Sequence, residues 1–241
     1  MSNVFYAHGE PRAAKVNDLF AAIARRYDLL NDLQSFGLHR LWKRRVVQLA
    51  KAKRGDHALD VCCGTGDIAF ALAKAGAETT GLDFSDKMLE VAATRQRQGE
   101  SEIQTLNFLQ GDAQQLPFPA NSFDIVTVGY GLRNLANWER GVDEMFRVAQ
   151  PGARLIVLDF GKPSNAGWRW VYFTHLKISV PLIGGLFCGN SQAYAYILES
   201  LKHYPAQTGV AAKMRALNLA NVRVINLLGG AMAINYGEKR A

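Results

Sequence analysis

Residues Ala58 to Phe70 read ALDVCCGTGDIAF. Ala58, Leu59 and Val61 make a short apolar strand, small residues come next, and an apolar helix begins. Gly64, Gly66 and Ala69 stand at the spacing G-x-G-x-x-A. Glycines there let the backbone turn tightly and let a ligand approach with no Cβ in the way. The helix start behind the turn offers unpaired N–H groups and a positive dipole end. Alone, the stretch leaves two readings open: a cofactor turn, or a strand-to-helix turn of an α/β fold that binds nothing.

Outward from it, the periodicity alternates. Strands are expected at 57–62, 78–83, 104–109, 123–128 and 154–160, with helices at about 67–75, after Ser85, and at about 138–149. Helices at about 191–203 and at 207–217 and strands at 221–227 and 231–236 close the chain. Strands alternating with helices predict an α/β fold with a largely parallel, doubly wound sheet, whose ligands sit beyond the C-terminal strand ends. Those ends carry Cys62-Cys63-Gly64, Asp83, Asp112 and Gly129, so the candidate residues converge on one rim.

Upstream, residues 1–11 read as a loose arm and 12–31 as a helix, with a break over Asn31–Gly37. A second helix at 38–52 carries Arg40, Lys43, Arg44 and Arg45. It is either a solvated basic face or a grip on an acidic membrane surface. The segment 163–190 is rich in aromatic and aliphatic residues, and Pro181 is expected to break it into a helix pair. It packs on the sheet, or walls a hydrophobic substrate, or faces a membrane.

Composition sets the bounds. The 241 residues are 49% hydrophobic and 20% charged, which supports a sizeable core. The net charge of +7 suits an anionic partner. Three cysteines, two of them adjacent, make no disulfide framework and point to a reducing cytoplasm. The N-terminus lacks a signal-peptide core, and no apolar run reaches the roughly 18 residues of a membrane span. A soluble or peripherally attached protein is expected.

Asp83 comes 17 residues after Gly66, near the distance for an acid that holds ribose hydroxyls. Asp112 is placed to meet an adenine amino group, or else is a turn aspartate. Together with the turn they read as an adenosine pocket, which NAD and S-adenosylmethionine would both suit. Asp60 favours the second, because an acidic neighbourhood suits an amino-acid ammonium. No nicotinamide-side proton relay is evident. A nucleic-acid methyltransferase is disfavoured, because no N-P-P-Y motif is present and the aromatics cluster with aliphatics.

The order LDVCCGTGD, GLDFS, GDAQQLPFP, SFDIVTVGYGLRN, RVAQPGARLIVLDF resembles the class I S-adenosylmethionine-dependent methyltransferases. More narrowly, the chain resembles the menaquinone/ubiquinone-biosynthesis C-methyltransferase family. Tyr27, Asp28, Asn31, Ser35, His39 and Trp42 match its N-terminal signature, and Gly131 to Asn134 match its GLRN run. Leu30, Gln34, Ala153, Asp159, Gly161 and Gly129 depart from the family's usual residues.

The resemblance implies a Rossmann-like doubly wound seven-stranded sheet, mostly parallel with a C-terminal antiparallel strand, plus N-terminal helices and an inserted apolar helical segment. It implies a helical cap over 1–54 and a methyltransferase region over 55–241, with the insertion at 163–205, in one structural domain. The implied reaction is C-methylation of a demethylated polyprenyl quinol, taking demethylmenaquinol to menaquinol. The 2-polyprenyl-6-methoxybenzoquinol of ubiquinone biosynthesis, demethylphylloquinone, and a cofactor-binding protein without turnover are the alternatives. S-adenosylmethionine is the implied donor, and its sulfonium makes a metal unnecessary. Its expected contacts are Asp60, Cys63, Gly64, Thr65, Gly66, Asp83, Phe84, Asp112, Ala113 and Gly129. A phenol ionises near about pH 10, so a cation must help the acceptor. Arg133 is the expected oxyanion partner, Asn134 positions the quinol oxygen, and Tyr27 and Asp28 act as lid or base. Tyr27, Asp28 and His39 read equally as a packed N-terminal cap. A peripheral contact with an anionic membrane suits the acceptor's isoprenoid tail, and a homodimer stays open.

Overall fold

The computed structural model describes Asp18, Ala24 and residues 27–98, 105–188, 200–201 and 203–241. Seven strands form one sheet in the order β3-β2-β1-β4-β5-β7-β6. They are β1 His57–Val61, β2 Glu78–Asp83, β3 Leu106–Gln110, β4 Phe123–Gly129, β5 Ala149–Phe160, β6 Ala220–Leu227 and β7 Met232–Glu238. Every pairing is parallel except those of β7, which runs antiparallel to both β5 and β6. The sheet is the seven-stranded, doubly wound one expected, with its single reversed strand near the C-terminus.

Strand side chains alternate between faces, and here both faces are apolar. Leu59, Val61, Val126, Val128, Leu155 and Val157 pack on one side with Val142, Met145 and Val148 of α5 (Trp138–Val148) and Val210 and Met214 of α7 (Ala206–Ala216). Ala58, Ile125, Ile156 and Leu158 pack on the other with Val46 and Ala50 of α2 (Leu38–Ala50) and Ile68 and Leu72 of α3 (Asp67–Lys74). Continuous apolar runs in the central strands thus result from burial on both sides. Strand order reverses between β1 and β4, which opens a crevice at their C-terminal ends.

α1 (Tyr27–Ser35) extends through most of the expected break at Asn31–Gly37, and only Phe36 and Gly37 turn the chain. Gly37 adopts φ +74°, its N–H bonds to the Asp32 carbonyl at 2.9 Å, and α2 starts at once. The basic α2 does not project all its cations to water. His39, Val46 and Ala50 face inward, and Lys43 is 12% exposed, 2.7 Å from Asp67 at the start of α3.

α4 (Asp86–Gln98) comes after β2, and α6 (Ala166–Cys188) after β5. α6 corrects the expected break: the helix runs on through Pro181. The proline removes one rung, the bond to the carbonyl of Lys177, while apolar sequence on both sides continues the helical run. The expected arm at 1–11, most of the helix at 12–31 and nearly all of the helix at 191–203 lie outside the described residues. No described helix is long and apolar enough to cross a membrane.

Candidate active site

A crevice opens beyond β1 and β4, at the point where strand order reverses and sheets of this kind hold ligands. Gly64, Asp83, Phe84, Asp112, Ala113, Gly129 and Asn134 line it, as expected from the sequence. Cys62, placed on the rim by the sequence, lines it too, and Ser85, Met88, Gln114, Tyr130, Gly131 and Leu135 also line it, though the sequence had not marked these as contacts. Each lies close to a strand end or to an expected site residue, and that adjacency was the available signal.

Asp83 organises one wall. Its Oδ2 accepts the Gly64 N–H at 2.8 Å and its Oδ1 accepts the Ser85 N–H at 2.9 Å. One carboxylate therefore ties the turn after β1 to the turn after β2. Burial pushes its pKa above the usual carboxylate range, although the N–H groups of Ser85, Gly64 and Phe84 oppose the shift. Gly64 sits at φ +56°, and an added Cβ there would meet nothing within 4 Å, so the turn opens onto the crevice. The Ser85 hydroxyl is buried and has no hydrogen-bond partner. An acid, a cradle without a Cβ and a waiting hydroxyl fit a ribose-bearing cofactor. Asp112 lines the wall while its Oδ1 accepts the Gln114 N–H at 2.8 Å. It is a turn aspartate that also lines the crevice.

The other expected donor contacts lie beneath this surface. Asp60 is 1% exposed and accepts from Thr127 Oγ1 at 2.7 Å. Burial raises its pKa to about 7 against the pull of Thr127, Lys43 and the Ala69 N–H. It braces β1, β4 and the first turn of α3 and does not line the crevice. Gly66 is required by packing: at φ +90° an added Cβ would stand 2.9 Å from both Phe70 and Phe108. Thr65 is buried, and its carbonyl accepts from Arg95 Nη1 at 2.7 Å. Cys63 donates its N–H to Leu82 at 3.0 Å, while Cys62 lines the crevice in its place. Burial pushes both thiols well up, so neither is a nucleophile at neutral pH.

The helix behind the turn is clamped from two sides. Asp67 is 2.7 Å from Lys43 and 2.8 Å from Arg95. Burial raises its pKa, but the two cations outweigh this and hold the carboxyl at about 2. Lys43 therefore serves the turn.

The opposite wall is the β4 end and the short 3-10 turn Leu132–Asn134. Tyr130 sits at φ +62°, a strained value for an aromatic residue. Its carbonyl accepts from Arg133 Nη1 at 2.5 Å and from Asn134 Nδ2 at 3.2 Å. That second bond fixes the amide of Asn134 and leaves its Oδ1, a buried acceptor, without a partner. Gly131 is obligatory, since a Cβ would come 2.3 Å from the Cβ of Cys62.

Arg133 does not line the crevice. It is 7% exposed, with Nη1 3.6 Å from Asp159 Oδ1 and the guanidinium 4.5 Å above the Phe160 ring. Asp159 also accepts the N–H of Arg133 at 3.1 Å, and burial raises its pKa against the Arg133 charge. The pair pins the strained wall from behind. Tyr27 and Asp28 begin α1, and their side chains lie outside the described residues. His39 is packed: its ring lies 3.0 Å from Ser35 Oγ, and burial lowers its pKa. Among the described residues no cluster of histidine, cysteine and acids has the makings of a metal site.

A family model described as the ubiE/COQ5 methyltransferase family matches residues 9–239. A protein of Desulfitobacterium hafniense named demethylmenaquinone methyltransferase is 42% identical over 237 residues, covering 96% of this chain and 92% of its own. One of Azotobacter vinelandii, named ubiquinone/menaquinone biosynthesis C-methyltransferase UbiE, is 38% identical over 231 residues, covering 95% and 91%. Among solved structures, magnesium protoporphyrin IX methyltransferase of Synechocystis with bound SAH has a TM-score of 0.68 at 20% identity, covering 94% and 99%. At that identity the likeness shows the fold.

Proposed function

The chain belongs to the ubiE/COQ5 methyltransferase family, and from that premise we propose that it methylates a ring carbon of a demethylated polyprenyl quinol, making menaquinol from demethylmenaquinol. S-adenosylmethionine supplies a methyl group made electrophilic by its sulfonium. Asp83 and Ser85 hold the ribose, Asp112 and Ala113 flank the adenine, and Gly64 leaves room for the chain of the donor.

The observation that carries the reading is the Asn134 amide. Asn134 lines the crevice, its Nδ2 is committed to the Tyr130 carbonyl, and its Oδ1 has no partner in the protein, which leaves it as the acceptor for a substrate hydroxyl. A quinol offers such a hydroxyl. Holding it there sets the ring against the donor, and positioning of this kind supplies much of a transfer rate. The acceptor carbon uses a ring electron pair to form the new carbon–carbon bond as the methyl leaves sulfur with its bonding pair on the sulfur. The same carbon then loses its proton to water or a carboxylate, and aromaticity returns. The buried charge of Arg133, partly balanced by Asp159, favours electron-rich oxygen on the ring.

The acceptor's tail gives the exposed apolar residues a reading. Phe36 is 83%, Leu41 54%, Trp170 70% and Ile178 64% exposed; Arg44 and Arg45 are on α2 with Leu41, and Lys177 is on α6 with Trp170 and Ile178. The reading extends to these exposed residues on the turn before α2, on α2 and on α6 as contacts with an anionic bilayer. Flotation with anionic vesicles at low salt should carry the protein upward, and failure to float would refute those contacts.

The test of the reaction is incubation with labelled S-adenosylmethionine and short-chain demethylmenaquinol or 6-methoxybenzoquinol analogues, followed by mass analysis. Label on the naphthoquinol ring is expected. Label on the benzoquinol alone would move the assignment to ubiquinone, which the name of the Azotobacter relative makes the second reading.

A further inference from the structure

A second hollow opens on the same edge of the sheet as the crevice. β5 and β6 both run antiparallel to β7, so their C-terminal ends lie together, beside the turn Leu228–Gly230 and the start of α7. Lys162 after β5, Arg169 on α6, Arg215 on α7 and Gly230 in the turn are among the residues that line it. None of its described lining residues lines the crevice.

Its walls are fixed by the protein itself. Gln207 grips the backbone of Lys162 twice: its Oε1 accepts the N–H at 2.9 Å and its Nε2 donates to the carbonyl at 3.0 Å. Trp168 Nε1 donates to the Leu228 carbonyl at 3.0 Å and ties α6 to the turn. Gly161 lets the loop after β5 touch that turn, since a Cβ there would stand 2.3 Å from the Gly230 carbonyl oxygen. A hollow held in shape this way spends little binding energy on ordering.

Its charge is one-sided. Lys162, Arg169 and Arg215 come from three separate elements, and no acid is among the described lining residues. Arg169 Nη1 donates to the carbonyls of Pro163 at 3.1 Å and Ser164 at 3.5 Å, which leave its charge unbalanced. Neither Arg169 nor Arg215 pairs with a carboxylate among the described residues. Lys213, on the same helix as Arg215, does pair, 2.6 Å from Asp143. Burial pushes the Lys162 ammonium below its usual range. Cations gathered at one concavity focus a positive potential that draws an anion. Two guanidinium forks and an ammonium match the tetrahedral oxygens of a phosphate.

We propose that this hollow is a phosphate-binding site formed by Lys162, Arg169 and Arg215, separate from the methyl-transfer crevice. The phosphate group belongs to an anionic phospholipid or to a soluble phosphate compound. Trp170, 70% exposed beside Arg169, favours the phospholipid, because indoles seat at the level of lipid headgroups. The site does not depend on the quinol reading.

Calorimetry at low salt with inorganic pyrophosphate should find one site. Arg215→Gln should weaken it about 10-fold and Arg169→Gln/Arg215→Gln about 100-fold, as charge-assisted hydrogen bonds are lost. The melting temperature and the S-adenosylhomocysteine affinity of both variants should stay at wild-type values. Arg44→Gln/Arg45→Gln removes as much charge elsewhere and should leave pyrophosphate affinity unchanged. Sedimentation with phosphatidylcholine vesicles, with and without phosphatidic acid, identifies the source. Phosphatidic acid binding that Arg169→Gln/Arg215→Gln loses assigns the headgroup, and pyrophosphate binding with no such vesicle difference assigns a soluble phosphate. The pyrophosphate measurement needs no membrane, so failure to float would refute the bilayer contacts and leave this site standing. No dependence on the two arginines in either measurement, an equal loss in Arg44→Gln/Arg45→Gln, or displacement of pyrophosphate by S-adenosylhomocysteine would overturn the proposal.

Discussion

Gly64 and Gly66 belong to one motif, and alanine should damage them in opposite ways. At Gly66 the backbone holds φ +90°, and a new Cβ would lie 2.9 Å from Phe70 and from Phe108, closer than such carbons ever approach. A left-handed non-glycine residue costs about 1–2 kcal/mol. Overpacking against two rings that meet edge to face, 5.5 Å apart, adds about 1–3 kcal/mol. The sum, about 2–5 kcal/mol, corresponds to a melting temperature lower by about 4–20 °C for a chain of this size. At Gly64 the φ is +56° and no atom stands within 4 Å of the new carbon. Only the strain of about 1–2 kcal/mol applies there. The methyl instead occupies crevice volume, so S-adenosylhomocysteine affinity should drop steeply while the protein stays folded. Urea denaturation and calorimetry on both variants separate the effects. A Gly66→Ala protein that melts with wild type, or a Gly64→Ala protein that binds S-adenosylhomocysteine as wild type does, would refute the division of the turn into a packing half and a binding half.

Other expectations concern the charges around this turn. Asp83→Asn keeps one acceptor oxygen for two N–H groups and loses the charge, so S-adenosylhomocysteine affinity should fall about 10-fold to 100-fold by calorimetry. Asp67 has a folded pKa of about 2 against 3.8 unfolded, so its contribution to stability is present above about pH 4 and is lost as pH falls through about 2. Lys43→Met should flatten that acid limb and destabilise the fold by about 1–2 kcal/mol at neutral pH, as denaturant midpoints across pH will reveal. Asp60 shows the opposite sign, since its folded pKa of about 7 lies above the unfolded 3.8. Its ionisation therefore erodes stability as pH rises from about 4 to about 7, and Asp60→Asn should remove that slope; an unchanged slope would place the carboxylate in a wetter site.

Much of the sheet was legible because its strands are short apolar runs bounded by turn residues, and the runs at 58–61, 123–128 and 154–160 became the central strands. The rim was legible for the same reason, since the residues directly after a parallel strand must lie at its C-terminal end. Depth below the rim was not. Asp60, Thr65 and Gly66 sit in the same few residues as Gly64, yet only the backbone path decides that Gly64 meets the crevice and Gly66 meets Phe108. Arg133 was legible as an important cation but not as a buried one, because its partner Asp159 is on the neighbouring strand. Pro181 misled because a proline is a strong local breaker, whereas a long apolar helix can lose one rung and continue.

The central claim is that the crevice aligns an S-adenosylmethionine donor with an electron-rich quinol ring. Anaerobic assays with labelled donor, supplying the short-chain demethylmenaquinone analogue either reduced or oxidised, test it most directly. Label is expected on the ring carbon of the quinol and none on the quinone, because only the reduced ring offers the hydroxyl for Asn134 and the electron pair for the methyl. Equal labelling of both forms, or labelling of neither, would contradict it.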